Sequence, residues 1–166
     1  MRIREDFIRL VGVKDGERIL DVGTGSGFFS NRIRQEDENW QCSGNRCMDA
    51  HGRRNTIRNA EIEGVSDKVI FKVADASDYF DRVVASFIIH IIRGWEKAVS
   101  EMVRVLKPGG IFAVLEPRSG WAGGWKVDQN LKAKLSSLGL KNIEIKPFLI
   151  YYPKRRRVFI ITGKKA

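Results

Sequence analysis

The spacing of apolar positions in the first part of the chain predicts helices and strands in alternation. Residues 5–11 (EDFIRLV) predict a short amphipathic helix, and residues 17–23 (ERILDVG) predict a buried strand that glycine closes. Residues 27–35 (GFFSNRIRQ) predict a helix. A further helix is expected over residues 50–63, with Gly64 as its stop.

The rest of the chain repeats this alternation and then changes it. Residues 142–152 and 155–164 are two apolar segments with no helix between them, so they predict a closing antiparallel hairpin. The other predicted elements are strands over residues 68–75, 82–87 and 111–117, helices over residues 96–106 and 129–139, and a KPGG turn at residues 107–110.

Alternating strands and helices predict an α/β fold in which helices cover both faces of a parallel sheet. We expect a three-layer, doubly wound, mostly parallel sheet with right-handed crossovers and a C-terminal antiparallel hairpin. The pattern predicts one domain over residues 1–166. In such a sheet the ligand lies beyond the carboxyl ends of the strands.

The composition describes a basic globular protein. The formal net charge is +10 at pH 7, with 43% hydrophobic and 30% charged residues. This charge is compatible with a polyanionic partner such as RNA, and equally with the lysine-rich surface of a thermophile. The N-terminal residues carry acids and arginines where a signal peptide would be apolar, and no apolar run reaches the ~18 residues of a membrane span. We therefore expect a cytoplasmic protein without a membrane association.

Two cysteines, Cys42 and Cys47, are too few for a disulfide framework. No pair of histidines accompanies them, so free thiols and no metal site are expected.

The loop after the first strand holds three glycines at every second position, Gly23, Gly25 and Gly27. The dinucleotide fingerprint G-x-G-x-x-G would require its third glycine at Phe28 instead. Asp21, two residues before the first glycine, would repel a pyrophosphate and favour a cationic group. Since the following helix N-terminus attracts an anion, the loop fits an amino acid attached to a nucleoside.

The segments ILDVGTGSG, EIEGVSDKVIFKVADASD and VRVLKPGGIFAVLEP, in this order, resemble the class I S-adenosylmethionine-dependent methyltransferases. The resemblance covers most of residues 5–117. It implies a Rossmann-like methyltransferase fold, S-adenosylmethionine as cofactor, and methyl transfer as the activity.

The resemblance also implies roles for single residues. Asp21 and the glycine loop would hold the methionine part of the cofactor. Asp75 would accept a hydrogen bond from the adenine amino group, although a helix or turn cap is the alternative. The implied cofactor-binding positions are Asp21, Gly23, Thr24, Gly25, Gly27, Asp49, Asp75, Ala76, Ser86 and Phe87.

Residues 31–54 depart from the family pattern, because they are polar where the family has an apolar strand that ends in a ribose-binding acid. Counting along the chain places Asn45, Cys47 or Asp49 at that position. We choose Asp49, the carboxylate there, although it could equally cap the following helix. A local frame change in the coding sequence is one hypothesis for this stretch.

His90, just after the strand over residues 82–87, is the candidate catalytic base or acceptor contact; the alternative is a partly buried histidine in an apolar helix. Glu116 and Arg118 are expected at the rim of the pocket. Trp121 and Trp125 would either close over a flat substrate or cover the sheet.

Two kinds of methyl acceptor are compatible with the sequence. Few residues precede the first strand, which suits a large acceptor such as RNA or a protein, or a lid that a partner subunit supplies; a homo-oligomer is a further alternative. The basic turn would then bind phosphates, although a solvated turn is the alternative. The segment ASFIIH instead resembles enzymes that methylate small molecules on oxygen or carbon. The basic turn consists of Lys154, Arg155, Arg156 and Arg157.

The leading hypothesis is therefore an S-adenosylmethionine-dependent methyltransferase, with a small-molecule acceptor slightly favoured. The second hypothesis is a catalytically impaired relative that acts as a basic cofactor-, RNA- or protein-binding module. The third, a nucleotide-binding oxidoreductase, is disfavoured by the glycine spacing.

Overall fold

The computed structural model describes residues 2–14, 16–23, 58, 62, 79–120, 124–150 and 156–166. Arg58 and Ile62 are helical, in agreement with the helix predicted over residues 50–63. The strand predicted over residues 68–75 and the helix predicted over residues 27–35 lie outside the described residues. The bounded elements are α1 (Arg2–Val11), β1 (Ile19–Val22), β2 (Phe80–Ser86), a 3-10 helix (Ile89–Ile91), α2 (Trp95–Arg104), β3 (Leu106–Pro117), α3 (Leu131–Ser137), β4 (Leu140–Ile150) and β5 (Arg156–Lys165).

The five described strands form one open sheet in the order β1-β2-β3-β5-β4. β1, β2 and β3 run parallel to one another, whereas β5 is antiparallel to both β3 and β4. The mixed α/β sheet and the C-terminal antiparallel hairpin confirm the predicted fold class.

Successive apolar residues of the strands enter two different cores, as the two-residue period of a strand requires. Val84 and Leu115 belong to the core that α1 covers, whereas Val83 and Val114 belong to the core that α2 and α3 cover. Helices therefore cover both faces of the sheet, which gives the three-layer arrangement.

The helices bury one apolar stripe each, at the spacing of a helical face. In α2 the buried residues are Trp95, Val99, Met102 and Val103. α3 ends before Gly139, whose φ of 95° confirms the predicted glycine stop.

The sequence-based boundary of the strand over residues 111–117 was wrong, because β3 already begins at Leu106 and contains the KPGG segment. The pairing partner on β3 shifts from Leu106 opposite Phe80 to Ile111 opposite Arg82, so KPGG forms an irregularity within the strand. The Phe80 N–H donates to the Val105 carbonyl at 2.8 Å, which draws the chain into the sheet before the glycines.

None of the described helices combines the length and the apolar character that crossing a membrane requires. Within the described ranges, no group of three or more His, Cys, Asp or Glu side chains could hold a metal ion.

Candidate active site

The candidate site lies where three parallel strands end at the same edge of the sheet, the position that open α/β sheets use for ligands. Asp21 lies near the end of β1, Ser86 ends β2, and Glu116 precedes the last residue of β3. The register pairs Asp21 with Val84 and Ser86 with Leu115, so all three lie near one edge. This edge is called the carboxyl edge below.

Asp21 is a fully buried carboxyl group in an otherwise apolar strand. A buried acid at the carboxyl end of a strand lies where open α/β sheets bind ligands, so Asp21 is a candidate site residue. Two residues later, at Gly23, the chain turns with a φ of 72°. A Cβ atom at Gly23 would lie 2.8 Å from Cγ1 of Ile88, so both the φ angle and the space require glycine.

These observations test whether S-adenosylmethionine fits the described part of the site. A buried carboxyl group suits the ammonium of an amino acid, and a turn without a side chain lets a ligand approach the backbone. The chemistry of Asp21 and Gly23 therefore fits the methionine end of the cofactor. The structure describes the first glycine of the loop only.

The residue after β2 leaves the sheet in a strained conformation. Phe87 has a φ of 56°, which is rare for an aromatic residue and is typical of functional turns. Its N–H donates to the carbonyl of Leu115 at 2.9 Å, which fixes the turn to β3. The Phe87 side chain is 38% exposed, and Ser86 beside it is half-buried.

Glu116 organises the segment that follows this turn. One carboxyl oxygen, Oε1, accepts the backbone N–H groups of Ile88 at 2.9 Å and Ile89 at 2.8 Å. The other, Oε2, lies 2.7 Å from Nδ1 of His90 and 3.3 Å from its backbone nitrogen. A single fully buried side chain of β3 therefore holds the 3-10 helix at the end of β2.

Burial raises the pKa of Glu116 above the ordinary value of a glutamate. The hydrogen bonds from Ile89, His90 and Ile88 favour its charged form and oppose this shift. Glu116 was predicted at the rim of the pocket, and this prediction was wrong, because it lies in the interior as the anchor of the His90 segment. Arg118, two residues later, is exposed.

Trp125 covers the sheet, the second of its two predicted roles. It is 3% exposed and packs edge-to-face on Trp95, with ring centroids 5.1 Å apart. Its Nε1–H donates to the carbonyl of Pro117 at 3.0 Å, which satisfies its polar atom within the core.

Of the predicted site residues, the structure brings together Asp21, Gly23, Ser86, Phe87 and His90 at the carboxyl edge. His90 lies in a 3-10 helix rather than in a longer apolar helix, and its side chain is 15% exposed. The predicted positions that lie outside the described residues are Thr24, Gly25, Gly27, Asp49, Asp75, Ala76, Trp121, Lys154 and Arg155, together with Cys42 and Cys47.

Sequence reasoning missed two contributions to the site. Ile88 fills the space in front of Gly23, and Glu116 holds Ile88, Ile89 and His90 in place. A carboxylate within the apolar run IFAVLEP was a usable signal, since a charged residue in a buried strand needs specific partners. The packing of Ile88 had no comparable signal, because one apolar residue among several identifies no partner.

Comparisons with known proteins agree with this geometry. The family model described as "Methyltransferase domain" matches residues 20–114. The curated relatives include the ubiquinone/menaquinone biosynthesis C-methyltransferase UbiE of Nitrosospira multiformis, 31% identical over 118 residues, which are 69% of this chain and 48% of that protein. UbiE of Chromobacterium violaceum is 33% identical over 114 residues, 66% of this chain and 47% of that protein. The chain thus spans about half the length of the curated relatives it matches.

Solved structures share the fold at low sequence identity. The YcgJ protein of Bacillus subtilis has a TM-score of 0.76 at 15% identity, and the match covers 98% of this chain and 97% of that one. Phosphoethanolamine N-methyltransferase 2 of Haemonchus contortus has a TM-score of 0.75 at 14% identity, over 98% and 52% of the two chains. The family match and the Rossmann-like methyltransferase fold confirm the predicted resemblance: this chain belongs to the methyltransferase domain family.

Proposed function

We propose that this domain transfers a methyl group from S-adenosylmethionine to a small-molecule acceptor. The observation that carries the proposal is the buried carboxyl group of Asp21, next to the positive-φ turn at Gly23, at the carboxyl edge of the sheet. Membership of the methyltransferase domain family supports the same activity.

In this proposal Asp21 binds the ammonium group of the cofactor, and the backbone at Gly23 lies against its methionine part. The cofactor supplies a sulfonium methyl group with an excellent leaving group, so the protein mainly has to position the acceptor, which contributes up to about 7–11 kcal/mol. Ser86 and Phe87 line the cofactor and the acceptor entrance. The further cofactor positions, proposed from the family resemblance, are Thr24, Gly25, Gly27, Asp49, Asp75 and Ala76.

The surroundings of His90 favour an acceptor with an apolar face. Phe87 is 38% exposed and Ile91 is 51% exposed, so an apolar side chain lies on each side of the histidine segment. The relatives named above are ubiquinone/menaquinone biosynthesis C-methyltransferases. A hydroquinone ring has apolar faces and carries hydroxyl groups at its edge. We propose an acceptor of this chemical class, with His90 as the catalytic base.

Calorimetry tests the cofactor. We expect the protein to bind S-adenosylmethionine and S-adenosylhomocysteine with micromolar affinity and to show no preference for NAD. Asp21→Asn should weaken binding of S-adenosylmethionine by about 10-fold or more, since a charge-assisted contact contributes about 1.5–3 kcal/mol. Preferential NAD binding, or no binding of either sulfur compound, would refute the proposal.

Asp81→Asn is the matched control for Asp21→Asn. Asp81 is also an aspartate of the sheet, but it lies at the start of β2, away from the carboxyl edge, and pairs with Lys107 at 2.6 Å. We expect its substitution to leave the cofactor affinity unchanged. An equal loss in both variants would mean that Asp21 acts through stability of the sheet.

RNA binding, a homo-oligomer and a lid from a partner subunit stay predictions from the sequence, as does the cytoplasmic location. Within the basic turn, the structure describes Arg157 as exposed. Affinity for a single-stranded RNA that falls steeply with salt would favour RNA as the acceptor. A salt-independent or absent affinity would leave the small molecule as the acceptor.

A further inference from the structure

The carboxyl group of Glu116 and the ring of His90 form a hydrogen-bonded pair beside the proposed acceptor entrance. Oε2 of Glu116 lies 2.7 Å from Nδ1 of His90, and Glu116 is fully buried. Carboxylate–histidine pairs orient the imidazole ring and fix which nitrogen carries the proton. Ile88 connects this pair to the turn at Gly23: its N–H donates to Glu116, and its side chain packs against Gly23.

The hydrogen bonds around Glu116 determine the direction of the bond to His90. Oε1 already accepts two backbone N–H groups, from Ile88 and Ile89, which fixes the plane of the carboxylate. A carboxylate can only accept hydrogen bonds, so the proton between Oε2 and the ring belongs to Nδ1 of His90. The neutral ring then carries a lone pair on Nε2. Among the described residues Nε2 has no hydrogen-bond partner, and the ring is 15% exposed.

We infer that Glu116 is a positioning residue that keeps Nε2 of His90 free as a proton acceptor, so that the site suits an acceptor with an O–H or an acidic C–H group. This inference rests on the proposed function and adds the residue that orients its catalytic base. An amine acceptor that arrives uncharged needs no such base before transfer, whereas a phenol or an activated ring carbon does.

The transfer step balances with these groups alone. The nucleophilic oxygen or carbon of the acceptor forms a bond to the methyl carbon while the carbon–sulfur bond breaks, and the bonding pair stays on the departing sulfur. The acceptor proton passes to Nε2 of His90. The imidazolium that results lies against the Glu116 carboxylate, whose charge stabilises it.

The Glu116→Gln variant tests separately whether Glu116 sets the position of the proton on the His90 ring and whether it supports the 3-10 helix. The glutamine amide oxygen can still accept the N–H groups of Ile88 and Ile89, which are the two shorter of the three backbone hydrogen bonds that hold the 3-10 helix. The third and longest, from the His90 N–H to Oε2 at 3.3 Å, is lost. The amide NH₂ group then faces Nδ1 and can only donate, which forces Nδ1 to be the acceptor. The proton moves to Nε2, and the ring can no longer take a proton there.

Nuclear magnetic resonance of ¹⁵N-histidine-labelled protein reads this change directly, without any acceptor. The chain has two histidines, His51 and His90, so His51→Asn assigns the signals. At about pH 8 the wild type should carry its proton on Nδ1 of His90 and the Glu116→Gln variant on Nε2. The same tautomer in both proteins, or a proton on Nε2 in the wild type, would overturn the inference.

Transfer kinetics provide the second measurement, with 1,4-naphthohydroquinone as the acceptor probe. Glu116→Gln and His90→Gln should each lower the rate by about 10²–10⁴-fold, and the double variant should lose no more than either one. The affinity for S-adenosylmethionine should stay unchanged in both. Additive losses would contradict action through His90, and no methylation of the probe by the wild type would contradict the phenol-type acceptor.

The two proposals fail in different ways. Absent binding of S-adenosylmethionine with the Nδ1 proton in place would refute the proposed function, and the positioning role would stand. Intact cofactor binding with the proton on Nε2 would refute the positioning role alone.

Discussion

Acidic side chains have different partners at the two edges of the sheet. At the opposite edge, where these parallel strands begin (the amino edge), the described acids Asp81 and Glu17 pair with cations: Asp81 with Lys107 at 2.6 Å, and Glu17 with Arg82 at 2.8 Å. Each also accepts one backbone N–H, Asp81 from Arg18 and Glu17 from Lys14. At the carboxyl edge, Glu116 is bonded to backbone N–H groups and to a histidine ring. Acids at the amino edge therefore pair with cations of neighbouring segments, whereas Glu116 at the carboxyl edge holds a histidine ring.

The acidic side chains at the two edges also differ in how deeply they are buried. Glu116 and Asp21 are fully buried, whereas Asp81 keeps 25% of its side chain exposed and Lys107 keeps 45%. An exposed ion pair contributes little to stability, and a buried carboxyl group is costly to keep. Among the described residues, the two fully buried acids, Asp21 and Glu116, both lie at the carboxyl edge, where open α/β sheets bind ligands.

Glu116→Ala should have the largest effect on stability. The substitution leaves the N–H groups of Ile88 and Ile89 and the ring of His90 without their acceptor, and each buried unsatisfied group costs about 1–3 kcal/mol. We expect the free energy of unfolding, measured with urea, to fall by about 3 kcal/mol or more.

Asp81→Ala is the control at the opposite edge. Its partner Lys107 remains solvated after the substitution, and the Arg18 N–H loses one part-buried hydrogen bond, so the expected loss is about 1–2 kcal/mol. Equal losses at the two edges would contradict this difference, because Glu116 would then contribute no more to stability than an exposed ion pair does.

Much of the fold could be predicted because periodicity reports burial directly. The apolar runs of β1 and β2, and the paired runs of β4 and β5, identified these strands and the hairpin. The start of β3 could not be predicted in this way, since Gly109 and Gly110 within KPGG are typical of a turn. A backbone hydrogen bond to Val105 from a distant strand decided that boundary, and local sequence does not contain it.

The site could be predicted only where a residue type marks chemistry by itself. Asp21 and Gly23 stand out in any apolar strand followed by glycine, and His90 is a titratable residue in an apolar segment. The pairing of His90 with Glu116 joins residues 26 positions apart through the register of β2 and β3. Such a contact depends on how the strands pair, which local sequence does not contain. The sequence therefore predicted Glu116 at the rim of the pocket.

Gly23→Ala should have an intermediate effect at the carboxyl edge. Alanine at a φ of 72° is strained by about 1 kcal/mol, and its Cβ would also lie 2.8 Å from Ile88 Cγ1. We expect a loss of about 2 kcal/mol in the free energy of unfolding, together with weaker binding of S-adenosylmethionine in calorimetry.

Gly16→Ala separates strain from crowding. Gly16 has a φ of 78°, and a Cβ there would meet nothing within 4 Å. This variant should lose about 1 kcal/mol and bind the cofactor normally. If Ile88→Ala in the Gly23→Ala background restores no stability, the close contact at the carboxyl edge is not the cause.

Asp81 and Glu116 should change the free energy of unfolding with pH in opposite directions. These are the smallest effects that we predict. Partial burial would raise the pKa of Asp81, but the hydrogen bonds from Lys107 and the Arg18 N–H outweigh it and lower the pKa below 3.8. The stability that Asp81 contributes is therefore present above about pH 4 and is lost as the pH falls through its folded pKa. The wild type should exceed Asp81→Asn by less than about 1 kcal/mol at neutral pH, and the two should converge in acid.

Burial raises the pKa of Glu116 above 4.5, so the folded state binds its proton more readily than the unfolded state does. Relative to Glu116→Gln, the wild type should therefore be most stable below about pH 4.5 and should lose that advantage as the pH rises through the folded pKa. Unfolding in urea at a series of pH values measures both slopes. Slopes of the same sign would show that the carboxyl edge holds its acid as the amino edge does, by pairing charge with charge.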